Sequence, residues 1–170
     1  MNPLEEYPIH KELLDKIFSH FDKNQKYKIL DAGSGRTSLY YLTTTFPNSF
    51  VEAFIYPGDE RKKGGIERDV GTTNFKLEEI DIQNYKQKED FDIVLAHLLL
   101  GEATKFNQNS FENVLNALFN IKTKHLVIVD IYADPQVNYG LLLKNISDVG
   151  RVIKLDCVDK YIGMVVERKN

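Results

Sequence analysis

Two long apolar runs, FDIVLAHLLL (residues 91–100) and HLVIVDIYAD (125–134), constrain this chain more than anything else in it. A strand with one wet face alternates apolar and polar positions, whereas a strand covered on both faces reads as a continuous apolar run. Between them FENVLNALF (111–119) repeats its apolar residues at helical spacing, as do Leu4 to Phe21, Thr37 to Phe46 and Val137 to Ile146. YKILD (27–31), FVEAFIY (50–56) and FKLEEIDI (75–82) read as shorter strands. Strands alternating with helices imply a parallel sheet covered on both sides, and right-handed crossovers leave few topologies for it. The closing RVIKLDCVDKYIGMVVERK divides around Asp159 and Lys160 into an antiparallel hairpin, with Cys157 expected in the core. The expected fold is therefore α/β and doubly wound. Its sheet is mostly parallel and seven-stranded, with a C-terminal antiparallel hairpin and helices on both faces. The segment PGDERKKGGIERDVGTTN (57–74) lacks apolar periodicity and is expected to be loop with at most a short helix.

With 170 residues, 42% of them apolar, the chain fits one domain (1–170), in which residues 1–26 form an N-terminal helical segment. A formal charge of −3 and the mixed signs around Arg61, Lys62, Lys63 and Arg68 argue against a nucleic-acid partner. No apolar run approaches the ~20 residues that span a bilayer. MNPLEEYPIH carries acids where a signal peptide carries a basic flank. The lone cysteine, Cys157, suits a reducing compartment, so a cytoplasmic location is expected.

Ligands in doubly wound sheets bind where strands end and the strand order reverses. Asp31, Tyr56, Asp81 and His97 all fall at or near expected strand ends. Asp31-Ala32-Gly33-Ser34-Gly35 then joins a strand to a helix, and two missing β-carbons allow a tight turn and close approach of a ligand. The helix start presents free N–H groups and a partial positive charge that favour a carboxylate or phosphate. Asp31 beside it can accept from an ammonium or hydroxyl. No Gly-Lys-Ser/Thr follows, which excludes a Walker loop.

ILDAGSG resembles the first motif of class I S-adenosylmethionine-dependent methyltransferases, and the order of elements is similar to that family from the first helix to GMVVERK. The resemblance implies S-adenosylmethionine as cofactor, with Asp31, Gly33, Ser34 and Gly35 against its methionine and ribose portions. It further implies that Asp81 reads the adenine amino group with Ile82 beside it, and that His97 faces cofactor and substrate. The N-terminal segment, with Tyr7 and His10, is expected on the cofactor side. Two positions depart from the family. Thr37 stands near its frequent third glycine, and Ile55-Tyr56-Pro57 ends the second strand where the family carries a ribose-binding acid. Tyr56 can stack on adenine or bond the ribose, and Asp59 can swing back from the loop.

His97 is the one candidate for acid–base or substrate-positioning work, though methyl transfer needs little such help. Arg36 can pair with the cofactor carboxylate or sit on the surface. Asp130 and Asp134 flank the fifth strand, but no metal-ligand pattern joins them, and none is expected. The expected function is methyl transfer to a small-molecule or protein acceptor, with homo-oligomerisation left open. The rivals are a non-catalytic methyltransferase-like binding protein and, more remotely, a nicotinamide-dependent oxidoreductase. The latter rests on GSGRTS, a partial G-x-G-x-x-G whose last glycine is replaced by Ser38.

Overall fold

The computed structural model describes residues 2–103 and 110–169. Seven strands form one sheet: β1 (Lys28–Asp31), β2 (Phe50–Ile55), β3 (Phe75–Glu79), β4 (Phe91–His97), β5 (Thr123–Ile131), β6 (Gly150–Val158) and β7 (Tyr161–Arg168). Their spatial order is β3-β2-β1-β4-β5-β7-β6. The first five run parallel, and β7 pairs antiparallel with both β5 and β6. The chain winds outward from β1 to β3, then returns to start again at β4. The reversal therefore falls between β1 and β4, where Asp31 pairs with Leu95.

Alternation along the buried strands divides the core in two. Ile29, Ile93, Leu95, Val127, Val129 and Val165 face one side. There they meet Leu13, Leu14, Ile17 and Phe18 of α2 (Pro8–Phe18) and Leu39, Tyr41 and Leu42 of α3 (Arg36–Thr45). Leu30, Val94, Ala96, Leu126, Ile128, Met164 and Val166 face the other side. They pack on α5 (Leu99–Glu102), α6 (Phe111–Asn120) and α7 (Tyr139–Val149). The doubly wound sheet with helices on both faces, expected from the apolar runs, is the sheet observed.

Several boundaries differ from expectation, each for a local reason. The helix expected over Leu4 to Phe21 is two helices, α1 (Pro3–Glu6) and α2, broken at Tyr7 (φ −128°, ψ 70°). Pro8 lacks an N–H and pushes the preceding residue out of the α region. The run FDIVLAHLLL stops being strand at His97, because Leu98 turns left-handed (φ 58°) and Leu99 opens α5. Leu100 is buried all the same, against the α6 side of the core. FKLEEIDI ends as a strand at Glu79, and Asp81 caps a 3-10 turn, Ile82–Asn84, by accepting from Gln83 N–H. HLVIVDIYAD leaves the sheet after Ile131. Segment 57–74 contains α4 (Lys63–Val70), anchored by buried Ile66 and Val70 and closed by Gly71 (φ 68°). Cys157, expected in the core, is exposed, because β6 is an edge strand.

Candidate active site

The carboxyl ends of β1, β2 and β4 and the segment after β3 converge on a cavity of 460 Å³. Gly33, Ser34, Gly35, Tyr56, Asp81, Ile82 and His97 all line it, whereas Asp31, expected with them, is fully buried next to the turn and is not part of the lining. Tyr7 and His10 line it from the N-terminal segment, and Arg61 and Lys62 from the connection between β2 and β3.

The glycine turn is fastened to its neighbours by backbone. Ala32 N–H donates to Leu95 of β4 (2.9 Å), and Ser34 N–H to Phe54 of β2 (2.6 Å). Neither Gly33 nor Gly35 has a positive φ, so their role is space rather than backbone freedom. A Cβ at Gly33 would lie 2.7 Å from Leu99 Cδ1, and one at Gly35 2.7 Å from Arg61 Nη1.

Asp31 is fully buried at the end of β1. The hydroxyls of Ser34 (2.9 Å) and Ser38 (2.7 Å) both donate to its Oδ2, and Ser38 Oγ also accepts from Gly35 N–H (3.3 Å). Oδ1 is buried with no hydrogen-bond partner. Burial pushes the carboxyl up to about 6, against the two serine hydroxyls and the charge of Arg61, which pull it down. Ser38 thus has a task of its own: it ties the turn to the acid.

His97, buried at the end of β4, meets His10 of α2 across a 3.0 Å contact between Nε2 and Nδ1. One ring must donate and the other accept, so the two rings cannot both be imidazolium. Burial first, then the charges of His10 and Arg61, take His97 down to about 3. Burial and Lys160 also lower His10. His97 is therefore neutral and a weak base. No spacing in the sequence joins these two rings, which lie 87 residues apart.

Arg36 turns to Glu6 and, at 3.8 Å, to Asp69, pinning α1 to α3 and α4 beside the cavity. Asp59 is held by Arg61 through Nε (2.9 Å), Nη2 (2.5 Å) and the backbone N–H (2.9 Å), with its side chain only 6% exposed. The basic cluster is exposed, as expected of a solvated loop, yet Arg61, its side chain 48% accessible, also lines the cavity. Asp130 is buried and accepts from Gly101 N–H (3.1 Å) and Ile131 N–H (3.0 Å). Among the described residues, no group of three or more His, Cys, Asp or Glu is placed to hold a metal, and no helix is long and apolar enough to cross a membrane.

No protein-family model matches this sequence, and no curated protein sequence matches it significantly. Its fold is nevertheless shared by solved structures. The N-methyltransferase NodS of Bradyrhizobium japonicum, in complex with S-adenosyl-L-homocysteine, superposes with a TM-score of 0.70 at 13% identity, over 99% of this chain and 89% of NodS. A TehB-like SAM-dependent methyltransferase of Corynebacterium glutamicum gives 0.66 at 17% identity, over 95% and 88%. The 16S rRNA methylase RmtB gives 0.66 at 15% identity, over 97% of this chain and 64% of its own. The likeness at these identities is one of fold: the mostly parallel seven-stranded sheet with its antiparallel end is the class I methyltransferase sheet.

Proposed function

We propose that this chain, with its class I methyltransferase fold, binds S-adenosylmethionine in the cavity above β1, β2 and β4 and transfers its methyl group to a small-molecule or protein acceptor. The observation that carries the reading is Asp31 Oδ1, a buried acceptor without a partner beside two glycines and a helix start. A buried carboxylate oxygen left unpaired is costly, and an ammonium group from a ligand would satisfy it. The glycine turn, Gly33 to Gly35, would hold the amino-acid end of the cofactor. Tyr56 would face its nucleoside, and Asp81 and Ile82 would flank the adenine. When bound, the cofactor supplies a methyl already activated on a sulfonium, so the chain's own contribution is alignment and exclusion of water. The whole chain is read as one unit with its N-terminal segment over the cofactor, working in the cytoplasm.

Isothermal titration with S-adenosylmethionine and S-adenosylhomocysteine, then with the nicotinamide cofactors, tests this directly. Micromolar binding of the first pair is expected. Binding of neither pair would move the protein to the scaffold reading, and preference for a nicotinamide would replace the reaction.

Two residues of the cavity lining give more specific outcomes. Tyr56 stands where a ribose-binding acid is missing; its ring offers adenine a face, worth about 0.5–1.5 kcal/mol, and its hydroxyl one bond, worth about 1 kcal/mol. Tyr56→Phe should therefore weaken S-adenosylhomocysteine slightly and Tyr56→Ala by about tenfold. An unchanged affinity with a lowered melting temperature would make Tyr56 a packing residue only. We read His97, neutral and held by His10, as an acceptor-side positioning group rather than a free base. His97→Asn should spare S-adenosylhomocysteine binding while reducing transfer of labelled methyl groups into a cell extract. Lost binding with intact labelling per bound cofactor would place His97 on the cofactor instead.

A further inference from the structure

The connection between β2 and β3 contributes an arginine, tied to Asp59, to the cavity wall. Asp59 receives three hydrogen bonds from Arg61, two of them through Nε and Nη2. That occupies one edge of the guanidinium fork. The remaining nitrogen, Nη1, is directed at the glycine turn, 2.7 Å from where a Cβ of residue 35 would sit. Arg61 lines the cavity wall with its side chain 48% exposed, and its charge acts on Asp31, His97 and Glu102.

An arginine usually loses side-chain entropy when it grips a ligand. Here Asp59 has already taken that loss, so Nη1 is presented in a fixed direction. The start of α3, capped by Gly35 with no side-chain bond to its free N–H groups, adds partial positive charge at the same place. Arg36, the cation nearest in sequence, is drawn off by Glu6 and Asp69. An anionic group entering at the turn therefore meets Arg61.

We infer that Arg61, aimed by Asp59, reads the carboxylate of the ligand's amino-acid end, so that the cavity selects ligands bearing a free α-carboxylate over the bare nucleoside thioether. The inference rests on the cofactor reading above and deepens it. Asp59 is a positioning residue in this arrangement. Gly35 is glycine because a side chain there would displace the guanidinium.

The test uses the full chain and two probes, S-adenosylhomocysteine and 5′-deoxy-5′-methylthioadenosine, which lacks the amino-acid portion. Losing a charged hydrogen bond corresponds to a fall of roughly tenfold to a hundredfold in affinity. Arg61→Met should show that fall for S-adenosylhomocysteine and leave methylthioadenosine within about threefold, less than one neutral bond. Arg61→Lys should resemble Arg61→Met, since an ammonium cannot grip Asp59 and face the turn together. Gly35→Ala keeps the charge but moves it, and should shift the ratio of the two affinities in the same direction. Asp59→Asn should shift it less. An unchanged ratio in both Arg61→Met and Gly35→Ala, with melting curves showing folded protein, overturns the inference alone. A parent protein that binds neither probe overturns the cofactor reading and this inference with it.

Discussion

Asp31→Asn is expected to make the ligand-free protein more stable while weakening its hold on S-adenosylhomocysteine. The carboxyl is buried and its folded pKa is raised from 3.8 to about 6. A raised acid pKa means that the folded state keeps the proton longer than the unfolded chain does. Stability that this group lends below pH 3.8 is thus lost as the pH rises to about 6. Above that, the ionised carboxylate costs on the order of 3 kcal/mol. Asparagine preserves the shape and leaves an oxygen for the Ser34 and Ser38 hydroxyls, so it removes the cost without opening a cavity. Melting curves of parent and variant at pH 7.5 should differ by several degrees in favour of Asp31→Asn, and the gap should narrow towards pH 4. Comparing the two proteins cancels the opposing titration of His97, whose lowered pKa withdraws stability as the pH falls. Affinity for S-adenosylhomocysteine should fall about tenfold or more, the loss of one charged acceptor. A variant that melts lower at pH 7.5 would show that the serine hydroxyls over-compensate burial. One that binds as tightly as the parent would remove Asp31 from the ligand.

Gly33→Val should abolish binding and also strain the fold, and the two effects can be separated. The first carbon of any side chain at 33 would lie 2.7 Å from Leu99 Cδ1 and 3.2 Å from its Cβ. Leu99 opens α5 immediately after the left-handed Leu98, and it lines the cavity. Overpacking of this kind costs about 1–3 kcal/mol, read as a lowered melting temperature. Adding Leu99→Ala should return much of that stability, because Cδ1 at 2.7 Å and Cγ at 3.3 Å are gone and only Cβ at 3.2 Å remains. Binding of S-adenosylhomocysteine should not return, because the valine still stands over the backbone that the ligand approaches. A folded Gly33→Val protein with parental affinity would show that the ligand lies elsewhere. Recovery of binding in the double variant, relative to Leu99→Ala alone, would assign the loss to displaced α5.

The order of elements was legible because burial on two faces leaves a signature along the chain. Ile93 and Leu95 point to one core and Val94 and Ala96 to the other, so the strand can hold no polar residue between them. The same signature misled at Leu98 to Leu100. An apolar run cannot say whether residues are buried as strand or as the first turn of a helix beneath α6. Cys157 misled differently, since a late alternating strand looks alike at the centre of a sheet and at its edge. Convergence of Gly33, Tyr56, Asp81 and His97 on one cavity followed from strand ends alone. The place of Arg61 on the cavity wall did not, because its acidic and basic neighbours mark a solvated loop, and about half of its side chain is indeed exposed. The available signal was Asp59 two positions before it, the spacing at which an aspartate bonds the backbone ahead of it. The His10–His97 contact had no such signal; it exists only once α2, packed on β6 and β7, brings His10 to the end of β4.

The β2–β3 connection has a consequence for how such a molecule can diversify. It leaves the sheet at Ile55 and rejoins it at Phe75, and it is anchored mainly through Ile66 and Val70. Asp59 and Arg61 sit within that span, outside every strand pairing. Exchange of this cassette would redraw one wall of the cavity without disturbing the register that holds Asp31 and His97. The part of the pocket that selects and the part that carries it are thus separable modules, and a lineage or an engineer can revise the first while inheriting the second intact.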